Sequence, residues 1–197
     1  MGKLVFSVDI EGTLADVYRA AVPFLKDEIP GYGNMSVDEA VRYMAPRIDP
    51  QHIAELVRKV WVSEMSIPLI DNGIPAYMEK IHEHYEIYVV TASPGSDERI
   101  QKWLDESGIV HDKYLHFESK AEKIALDASL YTDDDPEVAK KLDVLGKQVL
   151  FLPQPWNQFA IPKMGFSDNV IFVKNWGELS GAAIREADSA KPVRRHA

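Results

Sequence analysis

The chain contains no cysteine, which excludes a disulfide framework and a thiolate-ligated zinc site. Basic residues are in deficit: 22 lysines and arginines stand against 31 aspartates and glutamates, a formal net charge of −9. That balance argues against a partner that is a nucleic-acid polymer, whose phosphates demand a cationic surface. A small phosphorylated substrate stays compatible, because one metal ion and one or two lysines invert the field locally. No apolar stretch approaches the ~20 residues of a membrane span, so a membrane is not an expected partner either. There is no internal repeat and no low-complexity segment. The start, Met1-Gly2-Lys3 and a short run broken by Asp9, is too short and too acidic for a secretory signal, and a cytoplasmic location is expected. His82, His84, His111 and His116 lack zinc-like spacing and read as surface residues. Nothing in the composition speaks to an oligomeric state.

What is present is the pattern of an α/β protein. With 197 residues, 46% of them hydrophobic, the chain can build one full core and a small second lobe. Five short apolar runs, Leu4–Val8, Glu86–Thr91, Ser129–Thr132, Gln148–Leu152 and Asn169–Val173, are separated by helical or loop segments. Short continuous runs of this kind predict a five-stranded parallel sheet buried on both faces by helices, a Rossmann-like arrangement. The spacing of Ile100, Trp103 and Leu104 predicts a helix from Gly95 to Ser107, stopped at Gly108. Asp135-Pro136-Glu137 opens another that ends at Leu145, and a last helix begins at Asn175 and runs to about Ala187. A basic tail, residues 188–197, follows.

Residues 16–75 break the alternation. Asp16 to Lys26 reads as a helix, Ser36-Val-Asp-Glu39 is a capping box opening a second, and Pro50 to Val62 is a third with Ile53, Leu56, Val57 and Val60 on one stripe. Pro23, Pro30, Pro46 and Pro68 punctuate the joins. The division expected is a core of residues 1–15 and 76–187 with a helical insertion, 16–75, leaving the sheet edge where ligands bind and able to fold over it as a lid. Tyr18, Phe24, Trp61 and Met65 read as packing within that insertion rather than as a substrate platform.

The chemistry collects at strand ends. Asp9-Ile-Glu11-Gly12-Thr13 closes the first run with two carboxylates and a glycine that permits a tight turn. Two acids so close repel unless a cation or proton sits between them, and hard oxygen ligands at this spacing suit magnesium. Thr91-Ala92-Ser93 follows the second run, where hydroxyl and backbone N–H groups can hold phosphate oxygens. Lys123 lies ten residues before Asp133 and can reach the same phosphate as a point charge, with Lys120 its rival. Asp133-Asp134-Asp135 closes the next strand; Asp135 reads as a helix N-cap, and Asp133 and Asp134 as metal ligands. Nucleophile, acid/base, metal, hydroxyl clamp and cation on one rim are the parts needed for phosphoryl transfer through an aspartyl-phosphate. Trp156-Asn157 is equally readable as loop packing or as a substrate-side feature.

These pieces, in this order and at these strand ends, resemble the haloacid dehalogenase superfamily of phosphohydrolases along nearly the whole chain. The resemblance implies that Asp9 is the nucleophile and Glu11 the acid/base. It implies that Thr91 and its neighbours Ala92 and Ser93 clamp phosphate and that Lys123 neutralises it. It also implies Mg2+ held by the Asp9 carboxylate, the Glu11 backbone carbonyl and Asp133 or Asp134. The insertion resembles the C1-type cap. Thr13-Leu-Ala-Asp16, Ser93-Pro94, Lys123 and Leu152-Pro-Gln-Pro-Trp156-Asn157 look most like the 5′(3′)-deoxyribonucleotidase group, so the implied activity is a phosphomonoesterase, with a 5′-nucleotide or deoxynucleotide the leading substrate. Most phosphatases of the superfamily carry aspartate where this chain has Glu11, and the glutamate form resembles that of the enolase-phosphatases. Other chemistry on the same scaffold, a phosphomutase or dehalogenase, and a non-catalytic binding or regulatory protein are the alternatives.

Overall fold

A computed structural model describes residues 3–26, 29, 31–44, 47, 49–63, 65–93 and 97–190. The expected helix start at Gly95, the joins at Pro30 and Pro46, Pro94, and the tail from Lys191 onward lie outside the described residues.

One parallel sheet organises the molecule. Its strands are β1 (Leu4–Asp9), β2 (Tyr85–Thr91), β3 (Lys113–His116), β4 (Leu130–Thr132), β5 (Val149–Phe151) and β6 (Val170–Phe172), in the order β3-β2-β1-β4-β5-β6. The sheet thus has six strands, not the five expected. The missed strand, β3, lies at the edge, and its two end residues are exposed. Lys113-Tyr-Leu-His116 has two half-buried residues between exposed polar ends, so it carries no continuous apolar run of the kind that marks a buried strand.

The inner strands alternate between two apolar layers. Leu130 and Leu150 join the larger core cluster, while their neighbours Tyr131, Val149 and Phe151 join a second on the opposite face. The larger layer takes residues from α4 (Ile74–His82), α5 (Asp97–Glu106) and α9 (Trp176–Ala190); α4 packs on α9 and β2. The second takes Ile124 from α6 (Lys120–Ala125) and Val138, Ala139 and Leu142 from α7 (Pro136–Val144), the latter packed on the short α8 (Ile161–Met164). Fixed spacing does the positioning: Val8 pairs with both Val89 and Thr132, so the residues just past them, Asp9 and Asp133, emerge side by side at the carboxyl end.

Between β1 and α4 the described residues include three helices, α1 (Val17–Ala21) running into a 3-10 turn, α2 (Val37–Met44) and α3 (Pro50–Val62). Each begins where a polar side chain satisfies free helix N–H groups. Asp16 accepts from Arg19 N at 3.0 Å, Asp49 from Gln51 N at 2.7 Å, and Ser36 and Glu39 form the expected reciprocal box. Each cap contributes about 1 kcal/mol. The segment is not a loose appendage. Val17, Leu25, Val41, Val57 and Trp61 are continuous with the larger core cluster. The outgoing and returning chains also pair, Asp16 N donating to Pro68 O at 2.8 Å and Ile70 N to Leu14 O at 2.9 Å.

Candidate active site

The turn after β1 is drawn tight. Leu14 N and Ala15 N both donate to Ile10 O, at 2.9 and 2.8 Å, and Gly12 N donates to Ala15 O at 2.8 Å. Gly12 has φ +82°, a left-handed conformation that favours glycine. Its bare α-carbon also lets Asp134 approach from β4's end. Trp176 of α9 ties the turn down from behind, donating its indole N–H to Thr13 O at 3.0 Å.

Asp9, Glu11, Lys123, Asp133 and Asp134 are all buried here. Lys123 leaves α6 and puts its Nζ 2.5 Å from Asp9 Oδ1 and 2.6 Å from Asp133 Oδ2. Its rival Lys120 pairs instead with Asp135, which caps α7 by accepting from Glu137 N at 2.8 Å. Asp9 Oδ2 has a long 3.4 Å contact from the Thr13 hydroxyl. One carboxylate oxygen each from Asp9, Asp133 and Asp134 lie within 4.8 Å of one another. Both members of the acidic pair therefore face Asp9.

Charge in this cluster is unbalanced. Burial pushes the Asp9 carboxyl well above its ordinary range; Lys123 opposes the shift, and Asp133, Glu11 and Asp134 add to it. Burial and the neighbouring Asp133 do the same to Asp134. Asp133 is raised too, chiefly by burial. Burial alone would lower Lys123, but Asp133 and Asp9 reverse this and hold it firmly protonated. One ammonium cannot neutralise this many carboxylates. Hard oxygen donors with surplus negative charge, converging in a buried site, fit a divalent cation such as Mg2+.

Glu11 stands apart from the trio. Its Oε2 accepts from the Thr91 hydroxyl at 2.8 Å and its Oε1 from the Trp61 indole N–H at 2.8 Å. Burial raises its pKa, with the Thr91 hydrogen bond pulling the other way. The Thr91 hydroxyl is therefore engaged with Glu11, and it also accepts from Ser93 N at 2.9 Å.

Sequence reasoning did not foresee the role of the tryptophans. Trp61 sits on the apolar stripe of an amphipathic helix, indistinguishable by pattern from plain core. Trp156 donates its indole N–H to Asp134 Oδ2, and Asn157 Nδ2 donates to Asp134 O at 2.9 Å. Their place just past the carboxyl end of β5 was the one available signal. Trp156 also stacks on Tyr18 of α1, with ring centroids 4.4 Å apart and planes at 16°. A cavity of about 540 Å3 opens here. Its polar lining includes Asp9, Glu11, Ser93 and Lys123, and its apolar lining includes Tyr18, Val57, Ala92, Trp156 and Phe159.

No protein-family model matches the sequence, and no curated protein matches it. Solved structures do match in fold. A haloacid dehalogenase-like family hydrolase from Xanthomonas campestris is 14% identical, with 95% of this chain and 93% of that one covered at a TM-score of 0.60. A predicted phosphatase from Clostridium acetobutylicum is 11% identical over 94% of this chain and 100% of that one, TM-score 0.62. An L-2-haloacid dehalogenase is 13% identical over 93% and 100%, TM-score 0.53. The fold is accordingly that of the haloacid dehalogenase-like hydrolases, a class holding both phosphatases and dehalogenases.

Proposed function

We propose that the chain is a Mg2+-dependent phosphomonoesterase working through an aspartyl-phosphate on a small phosphorylated metabolite in the cytoplasm. The observation that carries this reading is the buried trio Asp9, Asp133 and Asp134 beside the Lys123 ammonium. A dehalogenase needs a nucleophilic aspartate but no cation-binding carboxylates, so the two extra aspartates favour phosphoryl transfer. The helical segment after β1 serves as a C1-type cap, and the aromatic lining of the cavity suits a nucleobase, which keeps a 5′-nucleotide or deoxynucleotide as the leading substrate.

Asp9, Asp133 and Asp134 would hold the cation, with the Glu11 carbonyl a further donor, and the ion would neutralise phosphate oxygens. Lys123 supplies a second positive charge to the same oxygens. Asp9 Oδ1 is held by Lys123, so Oδ2, with its single long contact, is the oxygen that attacks phosphorus. As that bond forms, the bond to the leaving oxygen breaks, and Glu11, whose pKa burial raises, gives a proton to the departing alkoxide. Glu11 then takes a proton from water, the water oxygen attacks phosphorus, and the acyl-phosphate bond breaks to free Asp9 and phosphate. Ser93 and Ala92 line the same cavity, and the Ser93 hydroxyl and the Ala92 backbone would hold phosphate oxygens.

The test is a panel of nucleotide, deoxynucleotide and sugar phosphates with Mg2+, run beside 2-haloacids. Phosphate release that chelation stops and Asp9→Asn abolishes is the expected result; halide release, or turnover surviving Asp9→Asn, would refute it.

A further inference from the structure

Glu11 is the acid of this site, yet half of its hydrogen bonding comes from outside the sheet. Thr91 at the end of β2 holds Oε2; Trp61, fifty residues along the chain on α3, holds Oε1. Trp61 is fully buried, so its N–H has no access to water and its geometry is set by packing. Trp103 of α5 meets it edge-on, with centroids 5.8 Å apart and planes at 80°. Trp103 is itself fixed, donating its indole N–H to Ile67 O at 2.9 Å on the returning chain. Two tryptophans thus brace α3 against the core at the point where it touches Glu11.

The two donors differ in kind. An indole N–H can only donate, whereas a threonine hydroxyl can donate or accept. Oε1 is therefore anchored by a group that never competes for a proton. Oε2 faces a hydroxyl able to reverse its role when the carboxyl is protonated. The extra methylene of glutamate, relative to aspartate, carries the carboxylate farther from its own backbone and out to the α3 indole.

We propose that Trp61 is a positioning residue for the acid/base, pinning Oε1 so that Oε2 carries the proton passed to the leaving oxygen and taken back from water. Seating of α3 then becomes a condition for a competent Glu11. This rests on the phosphatase reading above.

Leaving-group dependence separates this role from a merely structural one. A phosphorylated primary alcohol departs as a strongly basic alkoxide and needs the proton; p-nitrophenolate leaves without it. The value of kcat/KM covers substrate binding and the steps up to the phosphoryl-enzyme, so it includes the acid step and leaves out the later attack of water. With Mg2+ present, Trp61→Phe keeps the apolar body and removes the N–H. It should lower kcat/KM for an alkyl phosphate by about 10–100-fold, with p-nitrophenyl phosphate changed by less than about threefold. In a Glu11→Gln background the same substitution should cost nothing further, because the residue through which it acts is already disabled. A partly unfolded variant would lose both substrates equally. Equal losses, no loss, or full additivity with Glu11→Gln would overturn the Trp61 assignment alone. Hydrolysis of neither ester by the unaltered protein would sink the phosphatase reading, and this assignment with it.

Discussion

Gly12 and Asp134 meet across the carboxyl ends of β1 and β4, and a β-carbon on residue 12 would lie 2.1 Å from Asp134 Oδ2. The turn that follows the nucleophile candidate and the carboxylate that completes the acidic trio therefore occupy one another's space. Gly12→Ala meets both this collision and a φ of +82°. We expect it to destabilise the fold by about 1–3 kcal/mol and to displace Asp134. Urea unfolding reads the first effect and Mg2+ titration calorimetry the second. A variant with native stability and native Mg2+ affinity would contradict the geometry.

The indole of Trp156 orients Asp134 from the other side. Partners that orient ligating carboxylates are typically worth 10–100-fold in metal affinity. Trp156→Phe preserves most of the ring stacked on Tyr18 but removes the donor, so Mg2+ should bind about tenfold more weakly by calorimetry, whatever the substrate. Unchanged affinity would show that Asp134 needs no such support.

The acidic cluster should make stability depend on pH in a cation-sensitive way. Asp9, Asp133 and Asp134 have folded-state pKa values raised chiefly by burial, with Asp133 adding to the shift at Asp9 and Asp134, and Asp135 adding to it at Asp133. Between an ordinary carboxylate value of about 4 and the raised values, the folded state binds more protons than the unfolded one, so stability falls as pH rises. In chelator, the free energy of unfolding should therefore decline as pH rises above the ordinary carboxylate value of about 4. Millimolar Mg2+ should flatten that decline, since binding to the folded state stabilises it. Identical profiles with and without Mg2+, from denaturant titrations at each pH, would count against cation binding here.

Asp143 behaves with the opposite sign and serves as a control far from the cluster. Its carboxylate accepts from the Ser167 hydroxyl, from Lys140 Nζ at 2.9 Å and from Ser167 N at 3.0 Å. The Ser167 hydroxyl, above all, holds its pKa well below the usual range. The stability it contributes is present above the unfolded value of about 3.9 and lost as pH falls through the lower folded value. Asp143→Ala should cost about 2–3 kcal/mol at neutral pH. That gap should narrow as acid titrates the carboxylate of the unaltered protein. A gap that stays constant with pH would mean that packing, not charge, accounts for the loss.

How much of this was legible in advance differs by element. The buried strands were readable because each is a short continuous apolar run, a pattern created by helices on both faces. Strand β3 was not, because polar, exposed residues at both ends leave only Tyr114 and Leu115 between them. The caps of α2 and α7 were readable because Ser36-Glu39 and Asp135 satisfy helix N–H groups within a few residues of themselves. Asp9, Glu11, Lys123, Asp133 and Asp134 were readable as candidates because polar residues at strand ends, next to glycine or in an acidic run, are poor packing material.

Their partners were a different matter. All four tryptophans of the chain direct their indole N–H at the site or the segments framing it: Trp61 at Glu11, Trp156 at Asp134, Trp176 at Thr13 O and Trp103 at Ile67 O. Each pair is separated by at least 22 residues. A buried indole satisfies apolar patterning whether or not its N–H finds an acceptor, so nothing local distinguishes these residues from core.

The sequence by itself determined the α/β class, most of the strands, the helical break after the first of them and the set of acidic and basic residues able to do chemistry. These are properties of local pattern: period, propensity, and polar residues where packing would want apolar ones. Only the tertiary structure decided that Lys123 rather than Lys120 reaches Asp9, that Asp133 and Asp134 both face it, that glycine is required at position 12, and that Glu11 answers to a helix outside the sheet. Those outcomes depend on distances between segments far apart in the chain, and such distances are set by strand register and core packing.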